Sequence, residues 1–330
     1  MAKDRVLSLI LSLCVNIFLG QQSEPSELLS TQGIQSLIDQ GKFLEARAQM
    51  LKMSKDFQRG AQGAELTGDI FGGLKKWDSA LIYYGRFKEL EPKNAAAHFK
   101  YGGALGMKAL SNNKLTALMY LDDIEDHFKM AVEVDPSYVA AHWALIEYYL
   151  QVPGIMGGGA EKASAQADDL FEFSPIDGWM ARARLAEQDD DLDLAEQHYK
   201  KAITEGQSLW TYRGLISFYE RQKRWEPAFK ELKKAMAKFA DLSLNYQWAK
   251  MSVLSEKHIA EGLQYIAKCV GPEIKVEGIP EQWIRLRYAQ LLRKNGQNKA
   301  AFEQLNLALA LDPDFEQALD EQKALKKTLK

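Results

Sequence analysis

One pattern recurs along this 330-residue chain and limits what it can fold into. A small residue is followed four positions later by a large one, and three further on by a small or apolar one. Ala80-Tyr84-Phe87, Ile124-Phe128-Ala131, Ala163-Ala167-Leu170 and Ala301-Leu305-Ala308 show it, each with a proline five residues on, at Pro92, Pro136, Pro175 and Pro313. Ala46-Met50-Met53, Ala195-Tyr199-Ala202, Ala228-Leu232-Ala235 and Gly262-Ile266-Cys269 repeat it without the proline. Steps of four and three put these side chains on one stripe of a helix. A small anchor lets a second helix approach closely, and proline then stops the helix that carries the stripe. The eight anchors lie 34, 44, 39, 32, 33, 34 and 39 residues apart. A helix pair repeated at that period cannot bury its apolar face alone, so neighbouring pairs must stack.

Composition agrees with a chain made of helices. Ala plus Leu supply 81 residues, against 15 for Val plus Thr, the reverse of what a large sheet needs. The period and signature resemble the tetratricopeptide repeat, a helix-turn-helix unit. The resemblance implies an all-α, right-handed α-solenoid of about eight repeats over residues 31–313. The first helix of several repeats carries a bulky or planar residue at its fourth position: His98, His142, Trp179, Tyr212 and Tyr246. A small residue for the turn between helices is clear only at Gly41 and Gly296. Trp77, Trp225 and Phe43, three residues ahead of their anchors, read as core. Residues 314–330 are expected to form a capping helix, buried through Phe315, Leu319 and Leu325, with Lys326, Lys327 and Lys330 at its solvated end.

Two repeats run long, at about 95–138 and 139–177. In the first, Leu115, Leu118, Leu121, Ile124, Phe128 and Ala131 keep helical spacing, which predicts a lengthened second helix. In the second, a glycine loop at 153–159 separates the two helices. The block FKMAVEVDPSYVAAHWALIEYYLQVPGIMGGGAEKASAQA resembles a group of exported bacterial tetratricopeptide proteins with a similar loop and no assigned activity.

The start of the chain follows a different logic. Residues 1–5 carry Lys3 and Arg5, residues 6–20 read VLSLILSLCVNIFLG, and no further charge comes before Glu24. A basic start followed by a short apolar core predicts a signal peptide over 1–20, with a retained N-terminal anchor as the rival. Residues 21–30 would then be a short linker. Lipid attachment at Cys14 is disfavoured because Leu13 precedes it where a small residue is wanted. Removal of 1–20 would leave Cys269 as the one thiol, which excludes an internal disulfide. No glycosylation sequon is present. These features favour a bacterial periplasm or cell envelope, with secretion or N-terminal anchoring as alternatives.

Motifs for chemistry are weak by comparison. The glycine loop lacks the Lys-Ser/Thr that a phosphate-binding loop requires, and Glu161 intrudes at the helix start. It reads as an inter-helix loop that needs positive φ. His98 and His142 fill a packed slot, and His127 and His198 fall on second helices. Asp189 to Asp193 lacks the glycine and terminal glutamate of a calcium loop and reads as a solvated turn. The expectation is therefore no catalytic residue, no cofactor and no metal. The net charge of −3 gives no reason to expect nucleic acid.

The repeat register instead points to a face built from first helices. It selects Phe99, Trp143, Glu147, Arg184, Glu187, Trp210, Arg213, Ser217, Trp283 and Arg293 as a candidate partner-binding groove. Aromatic and Arg side chains mixed with acids suit recognition of a peptide or protein. The asparagines of a carboxylate-clamp repeat are absent from the ninth position of every first helix. The expected function is a non-catalytic protein-interaction scaffold of the cell envelope, touching membrane only if residues 1–20 persist. The alternatives are an enzyme or small-ligand binder using a pocket at the two long repeats, and a membrane-anchored assembly factor.

Overall fold

The computed structural model describes residues 25–111 and 117–328. The residues 1–20 expected to form a signal peptide or anchor, Leu115 and Lys330 lie outside the described residues. Eighteen α-helices and one 3₁₀ turn account for the regular structure among the described residues. The fold class is an all-α helical-repeat solenoid.

The helices alternate as first and second members of eight pairs. The first members are α1 (Pro25–Asp39), α4 (Ala61–Gly73), α6 (Ala95–Ser111), α8 (Val139–Gln151), α10 (Pro175–Gln188), α12 (Leu209–Arg221), α14 (Leu242–Ser255) and α16 (Glu281–Lys294). The second members are α2 (Phe43–Met50), α5 (Trp77–Leu90), α7 (Leu121–Val134), α9 (Ala160–Phe173), α11 (Leu192–Gly206), α13 (Trp225–Lys238), α15 (Ile259–Ala267) and α17 (Asn298–Leu311). A five-residue helix, α3 (Lys55–Arg59), is inserted after the first pair, and α18 (Glu316–Thr328) ends the described chain.

The anchors do what their spacing implies. Ala46, Ala80, Ala163, Ala195, Ala228 and Ala301 have no exposed surface, and Ile124 and Gly262 are buried with them. A side chain larger than hydrogen at Gly262 would put Cβ 2.9 Å from Cβ of Ser252 on α14. The companions four residues on, Met50, Tyr84, Phe128, Ala167, Tyr199, Leu232, Ile266 and Leu305, are all buried. Each pair thus closes on its own first helix through one stripe. Phe43 packs its ring so near α4 that a Cβ on Gly73 would sit 2.1 Å from it.

Stops and turns follow from backbone chemistry. The prolines interrupt α5, α7 and α17, and the acid before two of them fixes the turn. Asp135 accepts from the Ser137 backbone N–H at 3.0 Å, and Asp312 from that of Asp314 at 3.2 Å. Pro175 instead opens α10, where its missing N–H costs nothing. Inside the repeats, one left-handed residue joins first to second helix: Gly41, Lys75, Asp190, Lys223 and Gly296, with φ between 55° and 76°. The amide after each bonds back to the carbonyl five residues earlier, as in Lys76 to Phe71 at 2.9 Å and Arg224 to Tyr219 at 2.8 Å. This closes the last turn of the first helix.

Two expectations are corrected. The third repeat does not lengthen its second helix: α7 begins only at Leu121, after a turn at Met119 and Tyr120. Leu118 keeps the spacing and is helical, but the turn separates it from α7 and it is exposed, at 46%. Asp122 and Asp123 favour a helix start there, since carboxylates suit an N-terminus. At α18, Phe315 just before the helix and Leu325 within it are buried as expected, but Leu319 is exposed and Ala318 takes the inner position. The buried stripe runs 315, 318, 325, which turns Leu319 aside.

The residues up to His198 and those from Tyr199 onward form two compact units. In the first, Leu105, Ile124, Phe128, Leu145, Tyr148 and Tyr149 form a core across the two long repeats. In the second, Leu286, Leu292, Ala301, Leu305, Phe315 and Leu325 join the eighth pair to α18.

Candidate functional site

First helices of successive repeats lie side by side within each unit, as α8 does with α10 and α14 with α16. The sequence-selected groove residues fall along them: Phe99, Trp143, Glu147, Arg184 and Glu187 in the first unit, and Trp210, Arg213, Ser217, Trp283 and Arg293 in the second.

In the first unit, α8 and α10 hold three of them together. Trp143 is buried and donates its indole N–H to Asp177 Oδ1 at 3.1 Å. Glu147 is also buried, 4% exposed, and receives Arg184 Nε at 3.0 Å and Nη2 at 3.4 Å. That fork is a good geometry for a partly desolvated ion pair. Phe99 is half-buried between Phe128 and Tyr138, with ring centroids at 5.9 and 5.5 Å. Glu187 is half-buried on the last turn of α10.

In the second unit, Arg213 bonds to Asp241 at 3.0 Å and to the Ser243 hydroxyl at the start of α14. Arg293 pairs with Glu321 of α18, and Trp283 packs edge-on against Phe315 with centroids 4.7 Å apart. Ser217 is half-buried, and Trp210 is exposed, at 37%. Of the ten, Trp143 and Glu147 serve as internal struts, and Trp210 presents the most surface.

Residues that the sequence reading did not single out complete the bracing. Lys100 on α6 reaches Glu65 and Asp69 on α4 at 2.7 and 2.8 Å. Burial alone would lower its amine pKa, but the two carboxylates outweigh burial and hold it raised. Lys250 and Gln247 on α14 both meet Glu220 on α12. The partners in these rungs lie 27 to 37 residues apart. A search for opposite charges about one repeat apart would have found several of them.

A second set of bridges runs inside four of the repeats, from the fourth position of the first helix to the residue three after the anchor. His142 Nδ1 accepts from Gln166 Nε2 at 2.6 Å, and Arg285 bonds to Gln304 at 3.0 Å. Trp179 stacks on His198, and His98 lies by His127, with centroids at 5.4 and 5.8 Å. His98 and His142 each donate Nε2–H to the carbonyl of the preceding stop proline, Pro92 or Pro136, at 2.8 Å. Both histidines are therefore packed links between repeats. His127 is held at a pKa of about 4, chiefly by burial and then by the charges of Lys88 and His98.

The glycine loop is tied down by backbone hydrogen bonds, such as Gly159 N–H to the Tyr149 carbonyl at 2.8 Å. Gly157 and Gly159 have φ of 97° and 130°, as expected of a loop that needs positive φ. Buried Glu125 sits beneath it, bonded to Tyr149 OH and paired with Lys129 and Lys162. Its carboxyl pKa is lowered because those partners outweigh burial, while burial pushes the Tyr149 phenol up. Burial likewise raises the Cys269 thiol to about 11, which suppresses its thiolate. Among the described residues no group of three metal-type ligands converges, and no helix is long and apolar enough to cross a membrane.

Helix pairs that recur with buried small anchors and braced first helices define a helical-repeat protein. Residues 284–315, which hold the eighth anchor, match the family model described as tetratricopeptide repeat. The yeast Tom70 crystal structure shares the fold, with a TM-score of 0.56 at 14% identity, covering 99% of this chain and 72% of that one. A tetratricopeptide repeat protein from Parabacteroides merdae aligns over 90% of this chain and 99% of its own, at 14% identity and a TM-score of 0.44. A thermophilic protein of the same repeat class from Thermus thermophilus gives 19% identity and 0.45, covering 58% of this chain and 98% of that one. No curated protein matches the sequence. The eighth pair thus matches a tetratricopeptide repeat, and the chain as a whole has the helical-repeat fold.

Proposed function

We propose that this chain is a non-catalytic protein-interaction scaffold that takes a peptide or protein on its first-helix face. The observation that carries the reading is the bracing between first helices within each unit. Rungs such as Lys100 with Asp69 and Arg184 with Glu147 fix neighbouring helices, while Phe99 and Trp210 keep apolar surface between polar groups. A face ordered before binding loses little entropy on association, and aromatic side chains supply most of the energy at such sites. Affinity capture with crosslinking, using the full chain and its Trp210→Ala and Phe99→Ala variants, tests this. A reproducible partner lost in both variants, with Trp210→Ala melting like wild type, is the expected result. No partner, or one indifferent to both substitutions, would count against the reading.

We further propose that the chain works in a bacterial cell envelope, on the strength of the basic start and apolar core of residues 1–20. Mass analysis of the N-terminus in periplasmic and membrane fractions separates cleavage from anchoring. Recovery of the intact chain in the cytoplasm alone would refute export.

A further inference from the structure

Ile155, at the tip of the glycine loop, is 98% exposed, the highest value among the exposed large hydrophobics of the described residues. Single exposed apolar residues are common on protein surfaces, so exposure alone means little. What distinguishes this one is the structure built to hold it. Outside the third repeat, the other first-to-second turns, such as that at Lys223, take three residues, whereas residues 152–159 intervene between α8 and α9.

The loop has one tightly specified shape. Met156 N–H bonds to the Pro153 carbonyl at 2.8 Å, and Gly159 N–H bonds to that of Tyr149 at 2.8 Å. A Cβ on Gly158 would fall 1.8 Å from the Val152 carbonyl oxygen, so only glycine fits there. Lys162 donates to the Gly157 carbonyl at 2.7 Å and is itself tied to buried Glu125 at 3.5 Å. The loop is thus clamped to the core of the third and fourth repeats, with an isoleucine turned to water at its tip.

We infer that Ile155 is a preformed anchor that inserts into an apolar pocket rimmed by Lys or Arg on a partner protein. The site is separate from the first-helix face. The charge around the loop sets the chemistry of the rim. Glu161 is exposed in the first turn of α9, and Asp122 and Asp126 are exposed on α7 near Tyr148, whose phenol they help to raise. The nearby cations Lys129 and Lys162 share the one carboxylate of Glu125, so with it four carboxylates face two amines. An acidic surround repels an anionic bilayer and complements a basic protein rim. A loop already held in its bound shape pays little ordering entropy, so burial of one isoleucine side chain can be felt in full.

The test uses the full chain in its own cells, with photoreactive p-benzoylphenylalanine in place of Met156. The crosslinked protein is identified, purified and titrated against wild type, Ile155→Asp and Ile82→Asp, the last a control at another exposed isoleucine. The expected result is a crosslinked segment with apolar residues flanked by Lys or Arg. Binding should weaken at least tenfold in Ile155→Asp and in 0.5 M salt, and stay unchanged in Ile82→Asp. Ile155→Asp should melt like wild type, because the side chain it replaces touches little. No light-dependent adduct, binding indifferent to Ile155→Asp, or an acidic crosslinked segment would overturn the proposal. So would binding to phosphatidylcholine vesicles that Ile155→Asp abolishes, since it would assign the anchor to a membrane.

Discussion

At the scale of single residues, the strongest commitments are buried charges and the histidine bridges. Lys100 is only 8% exposed, with two carboxylates at 20% and 17%. Removing one partner of such a group leaves uncompensated charge, which costs about 3 kcal/mol or more. Lys100→Met should therefore lose on the order of 3 kcal/mol in urea unfolding at neutral pH. Because the folded pKa of Lys100 is raised, its contribution is complete below the unfolded value of 10.5 and is lost as pH rises through the folded one. His127 has the opposite sign. Its folded pKa of about 4 lies below the ordinary 6.5, so the unfolded chain binds the proton first and stability falls as pH drops from 6.5 towards 4. The next repeat supplies the control, since Gln166 occupies the matching position and bonds to His142 Nδ1, whereas His98 Nδ1 is buried with no bond. His127→Gln should flatten the stability profile across that window in pH-dependent urea melts. An unchanged slope would mean that another group carries the acid sensitivity. The period selects positions along the first helices but carries no information on which of them pair. Trp143 and Glu147 looked like ligand contacts because burial between α8 and α10 depends on Asp177 and Arg184, about one repeat further on.

At the scale of elements, the second helices were legible and the turns were not. Every anchor stripe is a helix because small and large residues at steps of four and three can pack only one way against a first helix. The left-handed turn residue was visible only as Gly41 and Gly296, yet the same backbone is kept by Lys75, Asp190 and Lys223. Closure of the first helix dictates the conformation, and glycine merely makes it cheap. The third repeat misled for a related reason. Leu118 keeps helical spacing, but the helix starts later, where Asp122 and Asp123 favour an N-terminus. A left-handed conformation costs an ordinary residue about 1 kcal/mol, a penalty that glycine does not bear. Lys223→Gly should accordingly raise stability by roughly 0.5 to 1 kcal/mol in urea melts, despite the flexibility that glycine adds to the unfolded chain. The same change at Lys230, which is exposed inside α13, should lower stability by about 1 kcal/mol. Equal effects at the two sites would refute the turn argument.

At the scale of the whole molecule, a stack of repeats has a problem at its ends, since each pair leaves one side for the next to cover. The number of repeats and the final helix could be read from the sequence because both are counted in anchors and stops. The division into two compact units was not visible, because the boundary falls inside α11, between His198 and Tyr199, where the repeat signature continues without a break. The second unit shows how its terminal repeat is covered. Phe315, Ala318 and Leu325 close over the eighth pair, and Glu321 takes the guanidinium of Arg293. Outward from that contact, α18 carries Asp320, Lys323, Lys326 and Lys327, all exposed. A chain stopped at Asp314 should therefore keep its helices but uncover apolar surface around Leu292, Leu305 and Ala308, and leave Arg293 without its carboxylate. Burying a side chain the size of Phe or Leu is worth about 2 kcal/mol, so losing Phe315 and Leu325 together removes on the order of 4 kcal/mol. The shortened chain should melt at lower temperature and, by size-exclusion chromatography with light scattering, associate through the exposed face. Glu321→Gln in the full chain separates the two contributions, since it removes the ion pair and leaves the apolar cover. It should remain monodisperse with only a small loss of stability. A truncated chain as stable and monodisperse as the full one would show that the eighth pair needs no cover, and that α18 is an appendage rather than a cap.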